Sequence, residues 1–352
     1  MNIVAVLYPA GKERAAQHPE LLGCAEHALG LKAFLSSKGH EFLVLHDQEK
    51  ALDEALPKAD VVITTPFWPA YITKERIAKA PRLKLILTAG VGSDHIDLQA
   101  AAQRGITVAE ITGSNVVSVA EHVVMQVLVL VRNFVPAYKN VLEGGWDIAG
   151  IASRAHDLED KTVGIVGMGR IGQRVALRLK PFDVRLYYYD FRQATATEEA
   201  TLGARYLPLD DLIAIADIIS INCPLTPKTD RLFNTERLSA MKQGAYLINT
   251  ARGRIVDTEA LVAALKSGHL AGYAGDVWYP QPAPKDHPWR AMPNHAMTPH
   301  YSGTTLEAQA RYASGVRKCL EAFFNGEPIE KDYLIVDQGR VIAPSYSYAY
   351  EG

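Results

Sequence analysis

Three short runs of the sequence bring together residue types that could bind and oxidise a very small carboxylate. They are Thr250-Ala251-Arg252-Gly253, Gly275-Asp276-Val277-Trp278-Tyr279-Pro280-Gln281 and Thr298-Pro299-His300. Arginine binds a carboxylate through two parallel N–H···O hydrogen bonds. A histidine held by a neutral amide indicates a site in which proton transfer is not the task. The combination predicts removal of hydride from a small carboxylate, for which formate is the candidate.

Composition excludes several other classes of protein. The chain has 352 residues, 48% apolar and 22% charged, which is ordinary for a globular protein with two domains. Its 37 basic and 39 acidic residues give a net charge of −2, so no strong field attracts nucleic acid or a membrane. The most apolar window, residues 123–131, is too short to span a bilayer. The three cysteines and the histidines lack metal-ligand spacing, which predicts no metal and a reducing, cytoplasmic location.

The elements that must position these residues are alternating strands and helices. Such alternation predicts parallel sheets and two doubly wound α/β domains, Rossmann-like or flavodoxin-like, with a cleft between them. The first series of predicted strands is Val4–Leu7, Glu41–Leu45, Val61–Thr64, Leu85–Leu87 and Ile106–Val108. The second series is Thr162–Val166, Val184–Tyr189, Ile218–Asn222, Ala245–Asn249, Gly272–Asp276 and Ala296–Thr298.

Helices are predicted between these strands and at three longer segments. The long ones are His18–Lys38, Ser118–Asn133, which is apolar on nearly every face, and Thr305–Phe324. The last is expected to pack back on the first domain. We therefore predict a discontinuous substrate domain, residues 1–116 plus 303–352, and an NAD-binding domain, residues 117–302. Shorter helices are predicted near Ile171–Leu179, Leu209–Ala216, Thr235–Ala240 and Thr258–Lys266.

A glycine-rich turn between a strand and a helix predicts a dinucleotide site. In Gly167-Met168-Gly169-Arg170-Ile171-Gly172, Gly167 permits the tight turn, Gly169 lets the backbone approach a pyrophosphate, and Gly172 lets helix and strand pack closely. The helix N-terminus offers its free N–H groups to the phosphates. Asp190 ends the next strand, where its carboxylate would bind the ribose and repel a 2′-phosphate. NAD is favoured over NADP, although Arg192 leaves NADP open.

These residues stand in longer strings that resemble the NAD-dependent formate dehydrogenases of the D-2-hydroxyacid dehydrogenase superfamily, over most of the chain. The most distinctive string is Gln281-Pro282-Ala283-Pro284-Lys285-Asp286-His287-Pro288-Trp289. Others are Thr65–Pro69, Ala89–Asp97, Asn115 with Ser118–His122, Asn249–Gly253, Gly275–Trp289 and Pro299–Gly303.

The resemblance implies a role for each matching residue at the substrate. Arg252 corresponds to the carboxylate clamp, and Asn115 to the amide that holds another formate oxygen. Val91 corresponds to an apolar contact where the family often has isoleucine. Pro66, Phe67 and Trp68 would supply a rigid apolar wall.

The pair His300 and Gln281 distinguishes two chemistries. Hydroxyacid dehydrogenases of the superfamily have glutamate at the position of Gln281, which keeps a proton on the histidine for hydroxyl–keto interconversion. Formate oxidation moves no proton at the reacting carbon, so His300 can serve as a hydrogen-bond donor that orients the anion. The alternatives are a D-2-hydroxyacid dehydrogenase or glyoxylate reductase, and a non-catalytic, NAD-sensing corepressor-like protein.

The resemblance also implies the remaining cofactor contacts and a partner. It assigns pyrophosphate and nucleotide contacts to one set of residues and the nicotinamide end to another. The family is typically homodimeric, with the helix after Ser118 at the interface, whereas His95 and His122 are expected to have only a core or interface role. The residues implied to contact the pyrophosphate and the nucleotide are Arg170, Ile171, Pro224, Leu225 and Lys228. Those implied at the nicotinamide end are Thr250, Asp276, His300, Ser302 and Gly303.

Overall fold

The computed structural model describes residues 1–348, which form two compact units. The first unit is Met1–Asn115 together with the chain from Gly303 onward, and the second is Val116–Ser302. Each unit contains a seven-stranded sheet. Apolar clusters cover both faces of each sheet, so both units have the doubly wound α/β architecture that the sequence predicts.

In the first unit, five parallel strands are extended at one edge by an antiparallel pair. With elements numbered in chain order over both units, the sheet order is β14-β13-β5-β4-β3-β1-β2. The strands are β1 (Asn2–Val6), β2 (Glu41–Leu45), β3 (Val61–Thr64), β4 (Leu85–Thr88), β5 (Thr107–Glu110), β13 (Leu334–Asp337) and β14 (Arg340–Val341). The helices are α1 (Lys12–Gln17), α2 (Lys32–Ser37), α3 (Lys50–Ala55), α4 (Lys74–Ala78), α5 (Leu98–Gln103), α14 (Leu306–Asn325) and α15 (Pro344–Ser347).

Strand β1 shows why its sequence is apolar at successive positions. Ile3 and Ala5 lie in a cluster that includes Tyr312 of α14. Val4 lies on the other face, in a cluster that includes Tyr346 of α15. Since side chains alternate along a strand, a strand covered on both faces needs an apolar residue at nearly every position.

In the second unit, all seven strands are parallel and follow the order β12-β11-β10-β9-β6-β7-β8. The chain runs outward from β6 and then returns to β9 beside it, so the switch point lies between these two strands. The strands are β6 (Thr162–Val166), β7 (Arg185–Tyr189), β8 (Ala204–Tyr206), β9 (Ile218–Ile221), β10 (Ala245–Asn249), β11 (Leu270–Gly275) and β12 (His295–Met297). The helices are α6 (Val116–Val131), α7 (Phe134–Leu142), α8 (Ile148–Ala152), α9 (Arg170–Leu179), α10 (Ala196–Leu202), α11 (Leu209–Ile215), α12 (Thr235–Ala240) and α13 (Thr258–Lys266).

The helix predicted over His18–Lys38 is wrong for residues 18–31 and is confirmed only for Lys32–Ser37. Helix α1 ends at Gln17, and α2 does not begin until Lys32. His18 precedes a proline, which disfavours the helical conformation, and it has φ −128° and ψ 73°. Gly23 lies against α14, where a Cβ would come within 2.1 Å of the Tyr312 hydroxyl oxygen. A contact between this segment and α14, which is distant in the sequence, therefore takes the place of a local helix.

Helix α6 matches the long apolar helix predicted over Ser118–Asn133, two residues earlier in the chain. Among residues 1–348, no single helix is long and apolar enough to cross a membrane. The pair α6 and α7 reaches that length and apolarity only together, across a bend of 68°. One side of α6 is buried in the second unit, while Val117 and Met125 remain 36% and 41% exposed.

Candidate active site

Two glycines of the turn after β6 are required by the packing of the chain itself. Gly167 has φ +97°, and a Cβ there would lie 2.6 Å from the backbone nitrogen of Cys223. A Cβ on Gly172 would lie 2.1 Å from the carbonyl oxygen of Gly167. The turn therefore approaches the residues after β9 closely and leads directly into α9, which begins at Arg170 and includes Ile171.

Gly169 is different, because nothing in the chain requires a glycine there. Its φ of −72° and ψ of −163° suit other residues, and a Cβ would meet no atom within 4 Å. The open space lies at the N-cap of α9, where backbone N–H groups are available to an anion. The turn thus fits a phosphate group that approaches the backbone from outside the chain.

The acidic residue after β7 lies against this turn. Oδ2 of Asp190 accepts a hydrogen bond of 2.6 Å from the backbone nitrogen of Met168. The loop after β9, which contains Leu225 and Lys228, is an ordered turn. Within it the Thr229 hydroxyl donates to the Pro224 carbonyl oxygen at 2.7 Å and accepts from the Thr226 backbone nitrogen at 2.8 Å. The predicted nucleotide residues therefore follow β6, β7 and β9, which are neighbours in the sheet.

A buried asparagine shapes the loop that contains Arg252. Oδ1 of Asn249, at the end of β10, accepts from the backbone nitrogen of Ala251 at 3.0 Å, and Nδ2 donates to the carbonyl oxygen of Arg252 at 2.8 Å. Nη1 of Arg252 donates to the carbonyl oxygen of Ala251 at 2.7 Å, and Thr250 is buried. A Cβ on Gly253 would lie 2.6 Å from the carbonyl carbon of Trp278. Sequence reasoning gave Asn249 no role of its own.

His300 and Gln281, which the sequence analysis pairs, are in direct contact. Nδ1 of His300 lies 2.9 Å from Oε1 of Gln281. His300 has φ +54°, in the left-handed region that a non-glycine residue adopts at some cost. Arg252 follows β10, Gln281 follows β11 and His300 follows β12, so the three residues stand after neighbouring parallel strands.

Asp276, completely buried after β11, binds the loop that contains His300. Its carboxylate accepts hydrogen bonds from the Thr298 hydroxyl at 2.5 Å, from the Tyr301 backbone nitrogen at 3.1 Å and from the Ser302 backbone nitrogen at 2.8 Å. Hydrogen bonds to a charged acceptor contribute about 1.5–3 kcal/mol each. The structure thus gives Asp276 a function within the chain, and its place beside the nicotinamide stays a prediction.

In the first unit, the predicted substrate residues also follow neighbouring strands. Pro66, Phe67 and Trp68 follow β3, Val91 follows β4 and Asn115 follows β5. Gly90, at φ +143°, has room for no side chain, because a Cβ would lie 2.9 Å from Cδ of Pro66.

The two aromatic residues of the predicted apolar wall lie on different faces of the sheet. Phe67 packs in the cluster that contains Ile3, with its ring 5.9 Å from that of Tyr8. Trp68 packs against the opposite cluster, and its indole nitrogen donates to the carbonyl oxygen of His46 at 3.1 Å. The structure therefore does not bring Trp68 together with Phe67.

Gly303 makes room for Asn115. A Cβ on Gly303 would lie 2.5 Å from Nδ2 of Asn115, a residue that is 8% exposed. The sequence predicts Gly303 as a cofactor contact. Its observed contact is with the amide that the resemblance assigns to formate.

Two further residues hold the Val91 loop, and sequence reasoning missed both. Oε2 of the buried Glu110 accepts from the Gly92 backbone nitrogen and from the Ser93 hydroxyl, each at 2.9 Å. The Ser93 backbone nitrogen donates to the hydroxyl oxygen of Tyr346 at 2.8 Å. Glu110 ends β5 and lies two residues beyond the predicted strand, so no local pattern indicates that its carboxylate is buried and partnered.

Within residues 1–348, no group of three or more histidine, cysteine or acidic side chains could hold a metal ion. The three cysteines, Cys24, Cys223 and Cys319, are unpaired.

A match to a family of known proteins gives the class of protein to which the chain belongs. Residues 124–302 match the family described as D-isomer specific 2-hydroxyacid dehydrogenase, NAD binding domain. The formate dehydrogenase of Candida boidinii is 55% identical over 98% of both chains, and the mitochondrial formate dehydrogenase of Solanum tuberosum is 53% identical over 98% of this chain and 91% of the relative. The structure of NAD-dependent formate dehydrogenase from Staphylococcus aureus in complex with NAD superposes with a TM-score of 0.90, at 52% identity over 96% of this chain and 99% of that one. The chain belongs to the formate dehydrogenase family.

Proposed function

We propose that this enzyme oxidises formate to CO2 with NAD as the acceptor. The observation that carries the proposal is the contact between His300 and Gln281, because a neutral amide stands where a hydroxyacid dehydrogenase needs a carboxylate. The relatives named above are formate dehydrogenases over nearly their whole length. Neither a hydroxyacid dehydrogenase nor an NAD-sensing corepressor is favoured by these observations.

The proposed roles of the residues follow from their chemistry. Arg252 binds the formate carboxylate through its planar guanidinium. Asn115 donates its amide to a formate oxygen, while Val91, Pro66 and Phe67 present apolar surface to the substrate. The second unit holds NAD, and NAD when bound accepts the hydride of formate. The first unit is the substrate domain. Asp190 and the turn from Gly167 to Gly172 bind the ribose and the pyrophosphate.

Gln281 allows a neutral His300 to donate a hydrogen bond to the anion. In the structure Oε1 of Gln281 faces Nδ1 of His300, and rotation of the amide by about 180° places Nε2 there as a donor, which leaves the proton on Nε2 of His300. A carboxylate can only accept, so it would keep the proton on Nδ1. Because oxidation of formate releases CO2 directly, His300 then needs to orient the substrate and does not need to exchange a proton.

Steady-state rates of NAD reduction and NADH oxidation with different substrates test the proposal. We expect turnover with formate and much slower turnover with glyoxylate and pyruvate under the same conditions. Faster reduction of glyoxylate than oxidation of formate would make the protein a hydroxyacid dehydrogenase. Binding of NADH without turnover of any of the three would favour the NAD-sensing alternative.

Replacing Gln281 by glutamate is expected to make kcat/KM for formate depend on pH near neutrality without abolishing turnover. A carboxylate partner raises the pKa of an imidazole, so the protonated fraction of His300 would grow as the pH falls through the neutral range. The measurement is kcat/KM from about pH 6 to about pH 9, the range around the ordinary pKa of histidine. Gln281→Asn, which stays neutral but is shorter, should lower the rate without this pH dependence. A flat profile for folded Gln281→Glu would contradict the role given to the amide.

We also propose that the protein is a homodimer that uses α6, α7 and the residues after α7. Here large apolar side chains are exposed: Trp146 is 83% exposed and Ile148 70%. Residues of α6 and α7 also line a groove of about 720 Å³ in the second unit, with Met125, Phe134 and Met297 among its lining residues. Apolar exposure on this scale marks an interaction surface. A second copy of the chain offers the same side chains, as a two-fold interface requires.

The double variant Leu142→Glu/Trp146→Glu is expected to be monomeric, because each subunit would bury two charges in the proposed interface. Sedimentation velocity at micromolar concentration measures the change. Leu43→Glu, an exposed apolar position on β2 of the first unit, is the matched control and should leave the dimer intact. A wild-type monomer, or a double variant that remains dimeric, would overturn this interface.

A cytoplasmic location is the remaining proposal. The unpaired cysteines support a reducing compartment. The Solanum tuberosum relative is mitochondrial, so fractionation of the source cells decides between the compartments.

A further inference from the structure

His122 belongs to a buried polar group beneath the loop that contains His300. It lies on α6 and is 7% exposed. Its Nε2 is 3.3 Å from Oγ1 of Thr298 and 4.0 Å from Oδ1 of Asp276. Its ring packs edge-on against Tyr301, with the centroids 5.0 Å apart at 86°. These contacts connect α6 to Thr298, which precedes His300 in the sequence, and to Tyr301, which follows it.

The hydrogen-bond pattern fixes the direction of each bond in this group. The Thr298 hydroxyl has one proton, and the carboxylate of Asp276, 2.5 Å away, can only accept it. The carbonyl oxygen of Gly275, 3.2 Å from the same hydroxyl, can also only accept. Thr298 therefore donates to Asp276, and its oxygen accepts from His122. The proton of the neutral imidazole consequently resides on Nε2.

The charge of His122 agrees with this assignment. Burial lowers the pKa of His122, and the nearby Asp276 opposes that effect only in part. The imidazole is therefore neutral at pH 7 and donates as an N–H group. Asp276 in turn accepts from the backbone nitrogens of Tyr301 and Ser302, which immediately follow His300.

We propose that His122 is a positioning residue for catalysis: its Nε2–H group holds Thr298, and through Thr298 it holds Asp276 in the arrangement that fixes the backbone of His300. The unusual conformation of His300, with φ +54°, needs such support from its surroundings. The inference rests on the proposed function, since it assigns His122 to the presentation of His300 to formate. It departs from the expectation that His122 has only a core or interface role.

Two replacements of His122 distinguish the effect of its N–H donor from the effect of its ring. His122→Phe keeps a ring against Tyr301 and loses the N–H donor, and His122→Gln places an amide donor near the position of Nε2. We expect His122→Phe to lower kcat/KM for formate about tenfold or more, the scale of losing one hydrogen bond that positions a catalytic group. His122→Gln should recover most of the loss. The dissociation constant of NADH should change less than kcat/KM does, since the glycine-rich turn that we assign to the pyrophosphate is intact in both variants.

A double-mutant cycle with Thr298→Val tests whether His122 acts through Thr298. If it does, His122→Phe should cost little in the Thr298→Val background, because the two replacements break the same chain of hydrogen bonds. Fully additive losses would overturn the proposal, as would a His122→Gln variant no better than His122→Phe. Melting temperatures of all variants identify any effect that comes from unfolding alone.

Two readouts do not depend on turnover of formate. In ¹⁵N-histidine NMR, the signals lost in His122→Gln should show a proton on Nε2 and an unprotonated Nδ1 in the wild type. Hydrogen exchange by mass spectrometry should be faster in His122→Phe for peptides that cover residues 298–303. If wild-type protein fails to oxidise formate but both results hold, the proposed function fails and the loop-positioning contact stands. A proton on Nδ1, or unchanged exchange, would overturn the contact itself.

Discussion

Replacement of Arg252 by alanine is expected to lower kcat/KM for formate about 1,000-fold, or ~4 kcal/mol, the scale of removing one partner from a desolvated charge pair. Arg252 leaves the end of β10 in a loop that Asn249 holds through two hydrogen bonds. The guanidinium is the group to which we assign the carboxylate of formate. Initial rates over a range of formate concentrations at saturating NAD measure the loss.

Arg252→Lys is the matched control, because it keeps the positive charge but has no planar pair of donors. It should recover only part of the lost activity. The dissociation constant of NADH should stay within about threefold in both variants, since neither touches the nucleotide turn. A folded Arg252→Ala enzyme with nearly wild-type kcat/KM would show that another group binds the carboxylate.

Gly169→Ala is expected to weaken NADH binding by about tenfold or more, equivalent to ~1.4 kcal/mol, while leaving the apoprotein folded and nearly as stable. The methyl group would enter open space, and the backbone conformation at Gly169 suits alanine. Only a bound group that approaches this backbone from outside the chain would contact the added methyl group. Fluorescence titration with NADH, beside thermal unfolding without cofactor, measures both effects.

Gly172→Ala provides the contrast, because its methyl would lie 2.1 Å from a carbonyl oxygen of the same turn. This variant should lose stability even without cofactor. Gly169→Ala should shift the melting temperature of the apoprotein by no more than about 3 °C. Wild-type affinity for NADH in folded Gly169→Ala would contradict the placement of the pyrophosphate at this turn.

Most of the sheet could be predicted from the sequence, because strands buried on both faces give continuous apolar runs. Several predicted strands, such as Val61–Thr64 and Ala245–Asn249, coincide with β3 and β10. The strands β8, β13 and β14, at or next to the edges of the sheets, were missed. Each has two to four residues, so its pattern is too short to distinguish from a loop.

The segment from His18 to Lys38 could not be predicted from local pattern. Its apolar residues have a spacing that suits a helix, but they contact a helix almost 300 residues later in the chain. Gly23 has no room for a side chain because Tyr312 occupies that space. Such a long-range contact leaves only Pro19, Gly23 and Gly30 as local signals.

Within the candidate site, the residues that follow strands could be predicted, and those that support them could not. Arg252, Gln281 and His300 have side chains that indicate chemistry, and their order matches a known family. Glu110 and Asn249 act on the backbone of neighbouring loops. Their roles depend on which loop lies beside them, and the fold alone decides that. The resemblance assigns Trp68 to the substrate wall, the structure shows its indole nitrogen donating to the carbonyl oxygen of His46, and its place at the substrate stays a prediction.

The most direct test of formate oxidation is the fate of the formate hydrogen. Purified protein is incubated with NAD and deuterated formate, and the NADH is analysed by mass spectrometry. We predict NADH that carries the deuterium, formed together with CO2 and lost in Arg252→Ala. NADH without deuterium, or no NADH from a protein that still binds the cofactor, would contradict direct transfer of hydride from formate.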